Sequence, residues 1–165
     1  MLYFEEGLRV NKVFRISFCL SLLVTSVCLA GDSEPEEVYL QYLNAVPSSE
    51  SARSLDSFLS SRNLSKRNGG VEKLKSKGKI EAEINARIHK QIKRGVSCKD
   101  NIEQIDKIKS VGGVTVIYSF KDICSEKMIK KNPGKYKNMT VFNVLEVHLI
   151  NEDGWKIDST LVKSK

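Results

Sequence analysis

The sequence predicts an α+β fold, with three amino-terminal helices packed on a curved antiparallel sheet of about four strands. Apolar residues recur at helical spacing up to about residue 94, and from Cys98 onward the period changes to two. The length, 165 residues, suits one domain and leaves little room for a second core.

The first thirty residues read as a signal peptide that stands outside this fold. Arg9, Lys12 and Arg15 lead into ISFCLSLLVTSVCLA, shorter than the ~18 apolar residues of a spanning helix. Cys28 and Ala30 are the small residues expected before a cut after Ala30, and the chain turns at once to GDSEPEE. The mature domain then spans residues 31–165, and the expected location is periplasmic or secreted. The alternatives are an uncleaved amino-terminal anchor and a lipid on Cys28. Lipoproteins usually carry Leu and a small residue where Thr25 and Val27 stand here.

Each element has its own signal. Ser33-Glu34-Pro35-Glu36 is a capping-box pattern with proline in the first turn, so a helix starts there. Val38, Tyr39, Tyr42, Leu43 and Val46 form its apolar face, and Pro47 ends it. A second short helix is expected over residues 49–60, with Ala52, Leu55, Phe58 and Leu59 on one side. SSRNLSKRNGG reads as a loop by composition. A third helix is expected within residues 71–94, striped by Ile80, Ile84, Ile88 and Ile92, broken at its start by Gly78 and stopped by Gly95.

The strands follow. Residues 98–109 form a weaker strand, Ser110-Val111-Gly112-Gly113 turns, and Val114, Val116, Tyr118, Phe120 and Cys124 alternate with polar residues. A three-residue loop centred on Val111 places Cys98 opposite Cys124, whereas a two-residue loop at Gly112-Gly113 misaligns them. An even cysteine pair in an exported chain reads first as a disulfide, worth about 3–4 kcal/mol in the chain-entropy model. Two buried free thiols are the competing account. A basic loop around Asn132-Pro133-Gly134 precedes a third strand over about residues 140–150. There Val141, Leu145, Val147 and Leu149 face the core, and Phe142, Val144, Glu146, His148 and Ile150 face away. Glu152-Asp153-Gly154 then closes a hairpin into Trp155, Ile157 and Ser159. Trp155 reads as a plug at the end of the sheet rather than a ligand-stacking residue.

Pro35-Glu36-Glu37, Tyr42-Leu43-Asn44-Ala45 and the closing Asp153-Gly154-Trp155-Lys156-Ile157-Asp158 together resemble a known class. The chain is similar, over roughly residues 34–162, to small exported bacterial proteins of the nuclear-transport-factor-2-like class. That resemblance implies a cystatin-like α+β cone. The class includes isomerases, dehydratases and cyclases besides transport, scaffold and binding proteins, so it implies no particular chemistry. No catalytic set of the class maps onto these residues.

The residues themselves offer few reactive groupings. No metal-ligand spacing, nucleophile elbow or phosphate loop is present, and no cofactor is expected. Tyr39, Tyr42, Tyr118 and Asp122 are the candidates to line the mouth of a cone. A buried Asp122 would be a candidate base; an Asp near a strand end more often faces water or satisfies a turn. Glu146 and His148 share a strand face, but the outward one, and His89 is expected at the solvent edge of the isoleucine stripe.

The formal charge is +7, concentrated in residues 66–94 and in the loop before the third strand. Lys90, Lys93 and Arg94 are candidates for a basic patch that meets an anionic envelope component. The alternative is a solvated helix face. Nucleic acid is a poor fit to an exported chain with few interleaved aromatics. The leading expectation is therefore an exported, non-enzymatic binding protein that meets a protein partner or anionic envelope component. Its outer sheet face suits a homodimer or partner contact. The alternative is a binder or converter of a small apolar ligand held in the cone.

Overall fold

A computed structural model describes residues 34–164, so the signal-peptide reading and the Ser33 cap lie outside the described residues. Helix α1 spans Pro35–Ala45. Pro35 opens it, where a missing N–H costs nothing, and Glu36 and Glu37 meet the positive end of its dipole. Val38, Tyr39 and Leu43 are buried, as their spacing requires.

The expected second helix shrinks to a 3-10 turn, Arg53–Phe58. It stops because Leu59 is drawn into extended conformation and bridges Ile157, while the Ser60 amide donates to the Ile157 carbonyl at 3.0 Å. The segment read as a loop is instead helix α2, Ser61–Lys75. Composition argued against it, since an internal Gly costs a helix about 1 kcal/mol and Gly69 and Gly70 lie side by side. Tertiary anchors override that cost. Ser60 Oγ accepts from the Asn63 amide at 3.0 Å, and Glu152 Oε2 accepts from the Ser61 amide at 2.8 Å. Arg62 and Arg67 pair with Asp158 and Asp56 respectively.

Gly78, at φ +78°, separates α2 from α3, which spans Glu81–Ser97. Gly95 does not stop α3 but lies inside its last turn. Only Ile84 of the isoleucine stripe is buried; Ile88 and Ile92 are half-buried, and Ile80 stands exposed at the N-cap.

Strands β1 (Lys99–Ser110), β2 (Gly113–Asp122), β3 (Phe142–Asn151) and β4 (Trp155–Ser164) form an antiparallel meander in the order β1-β2-β3-β4. The β1–β2 turn has two residues, Val111 and Gly112, because Ser110 pairs with Gly113. Two register shifts, between Asp100 and Glu103 and between Gln104 and Asp106, then slide β1 along β2. The disulfide Cys98–Cys124 does form, with Cα atoms 5.1 Å apart, but the expected register does not make it. Cys98 is the C-cap of α3, and Cys124 lies in the first turn of a further helix, α4, Ile123–Lys131. That helix replaces part of the expected basic loop. Asp122 ends β2 by capping it, accepting from the Cys124 and Ser125 amides at 3.0 and 2.9 Å.

The core lies on one sheet face. Val114, Val116, Tyr118, Phe120, Leu145, Val147, Leu149 and Ile157 pack there against Val38, Tyr39 and Leu43, with Trp155 partly buried at the margin. Burial of apolar area at about 25 cal/mol per Å² is the main force holding this layer. On the other face of β3, Val144, Glu146, His148 and Ile150 are half-buried and Phe142 is 63% exposed. A bulge between β3 and β4 breaks the alternation of β4, so Ile157 and Asp158 are both buried. Asp158 Oδ1 is satisfied by Ser60 Oγ and Arg62 Nε, each at 2.8 Å.

Candidate ligand cavity

A cavity of about 300 Å³ opens between the helices and the core face of the sheet. That volume is at the small end of ligand sites. Helix α1 contributes Tyr39 and Tyr42, the end of the 3-10 segment Leu59, and α2 Asn63 and Arg67. Helix α3 adds Ile92, Gly95 and Val96; Lys99 enters from the start of β1, and Ile157 and Thr160 from β4. The helical period explains the pairing of residues. Asn63 and Arg67, like Ile92 and Val96, are four apart and share a face.

The aromatic wall is ordered by stacking. The Tyr39 and Tyr42 rings lie 6.0 Å apart at 25°, and Tyr42 meets Phe58 edge-on at 5.8 Å. Burial raises the pKa of both Tyr39 and Tyr42, so their hydroxyls stay protonated at neutral pH. Arg67 is already engaged. Its Nη2 donates to Asp56 Oδ2 at 2.9 Å and its Nη1 to the Ala52 carbonyl at 3.3 Å. Asn63 Nδ2 donates to the Ile157 carbonyl at 3.2 Å.

Lys99 is different. Its Nζ donates to the Gly95 carbonyl at 2.6 Å and stands 5.6 Å from the centre of the Phe120 ring. Among the described residues no carboxylate forms an ion pair with it. Desolvation lowers its pKa, and the charge of Asp122, itself occupied in capping α4, opposes that only in part. Among the described residues no acidic side chain lines the cavity.

Of the four residues expected at the mouth of a cone, Tyr39 and Tyr42 lie on the wall of this cavity, and Tyr118 and Asp122 are not among its lining residues. Tyr118 is fully buried beneath Tyr39, with ring centroids 5.4 Å apart. Its hydroxyl donates to the Glu36 carbonyl at 2.6 Å, and burial pushes its pKa up to about 12. Asn63, Arg67 and Lys99 were missed. The first two lie in the stretch whose composition reads as a loop. The third has only its place beside Cys98, at the head of a strand, to mark it.

Lys90 and Lys93 border a separate surface groove on α3 with Glu50, Ser51 and His89, and Arg94 is exposed in the last turn. His89 is half-buried rather than at the solvent edge, and its Nε2 lies 2.9 Å from Ser49 Oγ. His148 Nδ1 meets Thr115 Oγ1 at 3.2 Å, and Glu146 pairs with Lys163. Cys98, Asp122 and Cys124 bring their ligand atoms within 4.8 Å of one another. The two sulfurs are bonded to each other, which removes both thiolates as metal ligands. Among the described residues no helix is long and apolar enough to cross a membrane. No family model, curated protein or solved structure matches the chain.

Proposed function

We propose that the protein is exported and acts by binding rather than catalysis, with the cavity as its ligand site. One observation carries the reading. Among the described residues the cavity wall offers hydrogen-bond donors and apolar surface but no carboxylate, imidazole or thiol. General acid–base work needs a group that changes protonation near neutral pH. The tyrosines are driven away from that range, and Arg67 is held by Asp56. Desolvation does lower the pKa of Lys99, but its ammonium is directed toward a carbonyl and an aromatic face rather than a second titrating group on the wall. The disulfide supports an oxidising compartment. Helices leading into a four-stranded meander support the cystatin-like cone as the fold type.

A second reading is contact with a protein partner, or a second copy, through the outer sheet face. The exposure of Phe142, Leu161 and Ile108, at 63%, 53% and 51%, favours it. The intact mass of the protein from its own host, in denaturing and native buffers, separates the two. A denatured chain beginning at Gly31 and two hydrogens light, with a small native mass increment, is the expected result. A doubled native mass would favour the sheet face. A full-length, reduced chain would overturn export.

A further inference from the structure

We infer that the cavity takes a small amphipathic monoanion, an aliphatic carboxylate, with Lys99 as its charge partner. This rests on the cavity being the ligand site. The wall divides in chemistry. Leu59, Ile92, Val96 and Ile157 supply an aliphatic surface, while Lys99 supplies a cation that no carboxylate pairs with among the described residues. A partly desolvated ammonium is stabilised by an anion brought to it, because the opposite charge replaces the water that burial removed. Among the described residues Lys99 is satisfied by one backbone carbonyl and the face of Phe120, and the charge of Asp122 opposite it across the β1–β2 pair offsets its desolvation only in part.

The charge count selects the headgroup. Among the described residues Arg67 is the only other cation on the wall, and Asp56 already holds its guanidinium through two oxygens, at 2.7 and 2.9 Å. One unpaired positive charge therefore faces the site. A carboxylate matches it, whereas the second charge of a phosphate monoester would enter a half-buried space without a partner. The tyrosines on the wall are neutral and repel no anion. An aliphatic tail fits the remaining wall, each buried methylene contributing to affinity in proportion to its area.

Calorimetric titration of the oxidised protein with octanoate, octan-1-ol and acetate tests this. Octanoate is expected to bind at least tenfold more tightly than octan-1-ol, and acetate not measurably. Lys99→Met, which keeps the apolar stem, should remove the preference for octanoate and leave the octan-1-ol affinity unchanged. Ile92→Trp, which fills the cavity, should abolish binding of both. Equal affinity of the wild type for octanoate and octan-1-ol would overturn the carboxylate inference while keeping the cavity as a ligand site. Octanoate binding that survives Ile92→Trp would place the anion elsewhere on the basic surface and overturn it also. Binding of neither octyl compound would overturn the cavity reading beneath it. The wild-type comparison stands even if Lys99→Met folds poorly, and Lys99→Arg, which keeps the charge, should retain the preference.

Discussion

Cys98 closes α3 and Cys124 opens α4, so the disulfide between them ties two helices together at the open end of one hairpin. The Ile123 amide donates to the Cys98 carbonyl at 2.9 Å, which sets the two cysteines side by side without a ladder position. Lys99 follows Cys98 directly, so the bridge also fixes the residue proposed to meet the ligand.

Replacing both cysteines by alanine should therefore lower stability by about 3–4 kcal/mol in the chain-entropy model. Urea unfolding of the double variant checks this, and reductant should move the wild-type midpoint by a similar amount. If reductant leaves the wild-type midpoint unchanged, the bridge does not constrain the unfolded chain as described.

Among the described glycines, Gly113 is the one whose side-chain space is already taken. A Cβ built there would lie 2.1 Å from the Leu149 carbonyl oxygen, and φ is +154°. Gly113→Ala must push β2 away from β3 at the start of their pairing, where Val114 and Leu149 are partners. We expect a loss of at least about 2 kcal/mol, against a change within about 0.5 kcal/mol for Gly112→Ala, whose Cβ meets open space. Equal denaturant midpoints for the two variants would show that the sheet yields at this position.

The contrast between those neighbouring glycines bears on what the sequence made legible. The period of two gave the strands, and the inward parity of Leu145, Val147 and Leu149 holds. Periodicity carries no information about slippage, however, and the two shifts in β1 and the bulge beside Asp158 were invisible to it. The disulfide was expected from cysteine count and compartment, and it exists, but the three-residue loop offered as its geometry does not. Helix α2 was missed because two of its anchors are distant in sequence, Asp158 for Arg62 and Glu152 for Ser61. Half of the cavity's polar wall comes from α2 and the head of β1, so the site was only half legible. The tyrosines showed because their spacing falls on a helix that composition also supports.

Asp122 is a cap in this structure, with three donors converging on its two oxygens, and that role makes a prediction distinct from catalysis. Asparagine also caps helices well, so Asp122→Asn should cost less than Asp122→Ala, which should lose about 1 kcal/mol. Neither change should alter octanoate affinity by more than a factor of about two, since Asp122 is not on the cavity wall and its carboxylate, though opposite Lys99 across the β1–β2 pair, is committed to the α4 cap. A tenfold change on Asp122→Asn would bring this carboxylate into the binding event.

Glu126 holds α4 against the end of β2 through Lys121, and it pairs along its own helix with Lys130, both at 2.9 Å. Hydrogen bonds from these two lysines bring its carboxyl from 4.5 down to about 2. A carboxylate whose folded pKa is depressed binds its proton more readily in the unfolded chain. Its contribution to stability is therefore complete above about 4.5 and is lost as pH falls toward about 2. Glu126→Gln removes the charge at every pH, so the gap between wild type and variant should be widest near neutrality and close at the acid end. Both pairs are partly exposed, so the gap should also narrow in high salt. Urea midpoints of both proteins across the acid range measure it, and a gap independent of pH would mean that Glu126 acts by packing rather than by charge.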